Sequence, residues 1–163
     1  MRKHIISHST KQIQASDQPW LDVEHLARVE ITSEDPAYPI EAALLSGKGS
    51  GWRAAEAGQQ MLRLLFDQPQ RVRRVRLAFQ EHKYERTQEF VLSWSAGSGQ
   101  ADREIVRQQY HFSPPVTTTE LEEYTVDLDD MTQTKYCSRH QYRCRARLAF
   151  GIASGMMTSS NDI

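Results

Sequence analysis

Apolar and polar side chains alternate with period two along much of the chain. Ala27, Val29 and Ile31 alternate with Arg28, Glu30 and Thr32. Leu62, Leu64 and Phe66 alternate with Arg63 and Leu65, and Val75, Leu77 and Phe79 with Arg74, Arg76 and Ala78. Phe90, Leu92 and Trp94 repeat the pattern, then Val106, Gln108, Tyr110 and Phe112, then Tyr124, Val126 and Leu128, and last Leu148, Phe150 and Ile152. Successive side chains of a strand point to opposite faces, so each set predicts a strand with one face on a core. Turn-forming residues fall between the sets: 35–39 with two prolines, the glycine-rich 46–51, 67–70, the charged 80–86, 96–99 and 113–115. Residues 40–45 form a short apolar piece, and only 52–60 and 120–123 suit a turn of helix.

Short strands without a helical crossover predict an antiparallel sandwich or barrel, with seven or eight strands. Residues 20–153 make one domain. Residues 1–19 are polar and irregular, a mobile arm, and 154–163 read as a disordered tail. The weak point is 131–145, which shows little alternation. Trp20 and Trp94 read as core residues, with the Trp94 ring in register with Phe90 and Leu92 and so facing inward.

Composition narrows the function classes. Twenty Lys and Arg against 21 Asp and Glu give a net charge of −1 over 163 residues, which argues against a nucleic-acid or acidic-membrane binder. No apolar run reaches the roughly 20 residues of a membrane span, and no apolar segment follows the basic start, so a cytoplasmic address is expected. Lys135, Arg139, Arg143, Arg145 and Arg147 face a single acid, Asp162, beyond residue 130. Cys137 and Cys144 lie in the same stretch and are expected as free thiols.

The run from Gly51-Trp52-Arg53 through Leu62-Arg63-Leu64-Leu65-Phe66-Asp67-Gln68-Pro69 to Val72-Arg73-Arg74-Val75-Arg76-Leu77 resembles the galactose-binding-domain-like superfamily. Thr87 to Ser95 resembles that fold's next strand, and Glu104 to Pro114 the one after it, so the likeness spans about residues 20–130. The superfamily holds discoidin or coagulation-factor C-type modules and many carbohydrate-binding modules. It implies an all-β, antiparallel jelly-roll β-sandwich of about eight strands that binds ligands with loops at one end. Structural calcium is common among discoidin-type relatives, but no acidic cluster here places an ion, and no cofactor is expected. After Asp130 the likeness thins. The Arg-, Cys- and His-rich stretch reads either as a variant of the fold or as a tail from an altered reading frame.

Sugar binding needs an aromatic face for the ring and charged or amide groups for paired hydrogen bonds to hydroxyls. The candidate ligand-binding residues are Trp52 and Arg53 after the glycine-rich loop, His82, Tyr84 and Arg86 in the next long loop, and Tyr38 between Pro36 and Pro39. The plainer alternative has Trp52 plugging the mouth of the barrel and Arg86 paired with Glu85 or Glu89. Arg71, Arg73, Arg74 and Arg76 form a stripe that acidic neighbours can oppose across strands. Cys137, His140 and Cys144 lack a nearby fourth ligand for zinc. Glu120, Glu122 and Glu123 read as a solubilising edge. No nucleophile, metalloprotease or phosphate-loop motif is present. The expected function is a non-catalytic module binding a glycan or small polyol. The alternative is an intracellular protein-interaction module of the same fold.

Overall fold

The computed structural model describes residues 20–44, 49–97, 99–140 and 145–151. The expected N-terminal arm, the tail from 154, Ile152 and Cys144 lie outside these residues. The elements are helix α1 (Val23–Leu26), strand β1 (Ala27–Ile31), helix α2 (Glu41–Leu44), and strands β2 (Trp52–Arg53), β3 (Gly58–Gln80), β4 (Arg86–Ser95), β5 (Arg103–Phe112), β6 (Thr119–His140) and β7 (Arg145–Gly151). All pairings are antiparallel.

Two long strands organise the sandwich. The N-terminal half of β3 and the C-terminal half of β6 sit in one layer, ordered β5-β4-β6-β3-β1. Their other halves sit in a second layer, ordered β2-β7-β3-β6. The pair bends between layers where its register slips between Leu65 and Arg74. Residues 67–70 were expected to turn the chain; they bend it within one strand instead. Pro69 cannot donate to a ladder, and the β3–β6 ladder has no partner for residues 66–69. Across the bend Asp130 adopts φ 57°, a left-handed conformation that Asp tolerates better than most residues.

The inward sets fill the space between layers. The Phe79 ring, from the second layer, lies 5.0 Å from Phe90 and 6.2 Å from Tyr136, both in the first. Burying each such side chain contributes roughly 1.5–3 kcal/mol.

The expected weak point, 131–140, is the C-terminal half of β6 and pairs with both β3 and β4. Its alternation exists, but three of its inward positions are Thr134, Tyr136 and Ser138, all buried. Thr134 Oγ1 donates to the Ser93 carbonyl at 2.8 Å, so the hydroxyl is satisfied inside. Met131, Tyr136, Leu148 and Phe150 are core residues. Residues 120–123 are strand, 52–53 are strand, and the apolar piece at 40–45 holds α2.

Of the two tryptophans expected in the core, Trp94 packs against it and the Trp20 expectation needs correction. Trp94 keeps its register with Phe90 and Leu92 along β6 and packs against the core, half-buried beside the Arg103 guanidinium; the extra residue of the β4–β5 ladder is Ile105, on β5. Trp20 forms an isolated bridge with Gly151. Its ring is half-buried, with the Arg74 and Arg76 guanidiniums 4.1 and 4.5 Å away.

Candidate ligand-binding end of the sandwich

Strand register places the candidate loops together. Arg53 of β2 stands opposite Arg145 of β7, and Arg145 stands opposite Gln80, the last residue of β3. The 81–85 loop follows at once, and Glu81 N–H donates to the Thr118 carbonyl at 2.8 Å. Residues 54–57, 81–85 and 113–118 therefore share one end.

Gly51 starts this end. It takes φ 83°, and a Cβ there would lie 3.0 Å from the Ala146 carbonyl oxygen, so glycine lets β2 close on β7. Trp52 then points into the core, and its Nε1–H donates to the Ser33 carbonyl at 3.2 Å. Arg53 remains half-buried at the surface. Its Nε and Nη2 donate to Asp35 Oδ2 at 3.0 and 2.5 Å, and its guanidinium lies 4.1 Å from the Tyr38 ring centroid. Backbone bonds from Arg53 N–H to the Tyr38 carbonyl and from Asp35 N–H to the Arg53 carbonyl, at 3.1 and 2.8 Å, fasten the two segments. Ser33 Oγ accepts from the Ala55 N–H at 3.1 Å and donates to Gln60 at 2.8 Å. Arg53 and Tyr38 thus form a pre-set charged and aromatic pair.

Arg86 stands elsewhere than expected. It is the first residue of β4, not a loop residue, and is buried. Its partner is Glu81, at 2.8 Å, with the two side chains 1% and 6% exposed. Arg86 Nη2 donates to Gln88 Oε1 and Gln88 Nε2 donates to the Tyr136 hydroxyl, both at 2.9 Å. Glu81 Oε1 also accepts the backbone N–H groups of Lys83 and Tyr84 at 2.9 and 3.3 Å. This interior network shapes the loop that carries His82 and Tyr84 on the outside; Tyr84 is 51% exposed. Sequence reasoning missed Glu81, Asp35 and Ser33, because each reads as an ordinary polar residue beside a turn or strand end. The Asp35-Pro36 turn signal was the one available hint.

The arginine stripe is opposed as cross-strand chemistry predicts. Arg74 and Arg76 pair with Glu123, and Arg71 and Arg73 with Asp129. Those two guanidiniums hold the Asp129 carboxyl below its ordinary range. Among the described residues no three His, Cys, Asp or Glu side chains converge as a metal site, and no helix is long and apolar enough to cross a membrane. Depressions of about 180 and 390 Å³ lie elsewhere: one on the first layer beside Gln59, Glu89 and Cys137, the other at the opposite end beside Phe66, Gly97 and Gln133.

No family model and no curated protein matches the chain. Solved structures do. The family 32 carbohydrate-binding module of NanJ from C. perfringens, in complex with galactose, superposes with a TM-score of 0.59 at 10% identity, covering 82% of this chain and 98% of that one. Another family 32 module from Clostridium perfringens, in complex with GalNAc-β-1,3-galactose, gives 0.56 at 15% identity, covering 83% and 100%. Reduced XRCC1 bound to the DNA polymerase β catalytic domain gives 0.55 at 15%, covering 83% and 99%. The chain shares the β-sandwich fold of these solved structures, the fold that the sequence resemblance implied.

Proposed function

We propose that this jelly roll is a non-catalytic module that binds a carbohydrate or small polyol at the loop end carrying Arg53, Tyr38, His82 and Tyr84. The observation that carries the reading is the Arg53–Tyr38 pair, held by Asp35 on the same end as a half-exposed tyrosine. A guanidinium fixed before binding loses little freedom when it hydrogen-bonds to hydroxyls. Tyr84 supplies an apolar face for a sugar ring. Trp52 and Arg86 act from beneath, the first packing under β2 and the second shaping the 81–85 loop. Fold likeness to modules solved with galactose and with GalNAc-β-1,3-galactose supports the ligand class. A glycan array followed by Tyr84→Ala and Arg53→Ala tests it: selective binding is expected, weakened at least tenfold in each variant. Array silence, or binding that both variants retain, refutes it.

A second reading, a protein-contact module acting inside the cell, is favoured by exposed apolar side chains near the same end. Val116 and Leu121 are 88% and 61% exposed, and the fold likeness includes a protein solved on a protein partner. Array silence together with a partner whose capture fails on Val116→Ser supports this alternative.

A further inference from the structure

The larger depression lies at the end of the sandwich away from the Arg53–Tyr38 pair, and strand register builds its floor. Leu65 of β3, Gln133 of β6 and Ser95 of β4 stand side by side in neighbouring strands of the first layer, about 5 Å from one strand to the next. Thr134 faces the interior, so Gln133 and the row it belongs to face outward. A turn walls the row, closed by the Gln100 N–H donating to the Gly97 carbonyl at 3.1 Å. Phe66 and Thr132 complete a space of about 390 Å³, within the roughly 300–1,000 Å³ of small-molecule sites.

The polar groups of this space are left with capacity to spare. Ser95 is 2% exposed, and its hydroxyl has no hydrogen-bond partner among the described residues. A hydroxyl so enclosed is costly to leave unpaired. Gln133 Nε2 donates to Asp102 Oδ1 at 3.5 Å, which leaves the amide oxygen to accept. Thr132 Oγ1 donates to the Ser95 carbonyl at 3.4 Å and keeps its lone pairs. Among the described residues no charged side chain lines the space, and Asp102 beside it is neutralised by Lys135.

We propose that this depression is a second binding site, for a neutral ligand with neighbouring hydroxyls, such as a monosaccharide unit or a small polyol.

The lining excludes the other classes. An ion entering here would meet no opposite charge, and a purely apolar ligand would strand Ser95 and Gln133 without partners. A ligand hydroxyl both donates and accepts, which matches the Ser95 hydroxyl, the Gln133 amide oxygen and the Gln100 amide. Leu65 and Phe66 supply apolar surface for the C–H side of the same molecule. The site does not depend on sugar binding at the loop end. Where both ends bind, one chain links two glycans and gains avidity.

Titration of the isotope-labelled full chain with galactose, glucose and glycerol in turn, followed by amide chemical shifts, tests the site. Saturable shifts at Leu65, Ser95, Gly97 and Gln133 are expected with at least one probe, and Arg53→Ala and Tyr84→Ala are expected to keep them. A Cβ at Gly97 meets only Gln100 Cγ, at 3.8 Å, so Gly97→Leu extends into the depression and is expected to abolish the shifts. Ser95→Ala, which serves alone if Gly97→Leu does not fold, is expected to weaken binding about fivefold, the worth of one neutral hydrogen bond. Absence of saturable shifts with every probe, or undiminished binding in the foldable variants, overturns the proposal. Shifts confined to Arg53 and residues 82–85 overturn it too, while leaving the loop-end reading intact.

Discussion

Replacing Glu81 by alanine removes the counter-charge of a guanidinium in the protein interior. Arg86 and Glu81 are 1% and 6% exposed and stand 2.8 Å apart. Breaking a buried pair by deleting one partner costs about 3–5 kcal/mol, because the remaining charge is left uncompensated. Two features trim the loss. Arg86 keeps its bond to Gln88 Oε1 at 2.9 Å and its position 5.4 Å from the Phe112 ring, and the Lys83 and Tyr84 amides that lose an acceptor sit in an exposed loop where water replaces it. The expected destabilisation is therefore about 3 kcal/mol. Removing both charges together, as Glu81→Leu with Arg86→Met, is expected to fall within about 1–2 kcal/mol of wild type, since apolar replacements of buried pairs are often neutral. Urea unfolding measures both, as a midpoint shift at constant slope. A single-variant loss below about 1 kcal/mol, or a double variant no more stable than the single one, refutes the account of how this loop is held.

Other expectations follow from the bend and the interior. Asp130→Val forces a β-branched residue to φ 57° and is expected to cost about 1–2 kcal/mol, while Asp130→Asn stays near neutral, both read from thermal midpoints. Ser138 Oγ is buried and has no hydrogen-bond partner among the described residues, so Ser138→Ala is expected to raise stability by about 1 kcal/mol in urea unfolding. The Asp129 carboxyl, lowered chiefly by its hydrogen bond to Arg73, supports the fold above its unfolded value and ceases to as pH falls through its folded one. Asp129→Asn is expected to flatten that acid limb in a pH series of unfolding midpoints.

The layered fold was readable because Leu62, Leu64, Val75, Leu77, Phe79 and Phe90 keep strict alternation and all end in the core. What escaped the sequence lay where alternation carries the wrong chemistry or is interrupted. Thr134 and Ser138 face inward as hydroxyls, so a central strand reads as a loop. Asp67 and Pro69 carry every mark of a tight turn and instead make a bend, since the ladder skips them. At the candidate end Arg53, His82 and Tyr84 were found from residue type and spacing. The partners that decide which groups face outward, Asp35 and Glu81, depend on contacts 18 and 5 residues away in the chain.

The shared strands β3 and β6 bear on how the molecule is made. Each layer borrows half of each, so neither can finish before the other has begun, and a nick at the bend would weaken both together. Assembly then waits on joining Gly58 to His140 and Gln80 to Thr119, distant closures that slow the search for the native state. The same splice means that no half of this chain is a smaller version of the whole.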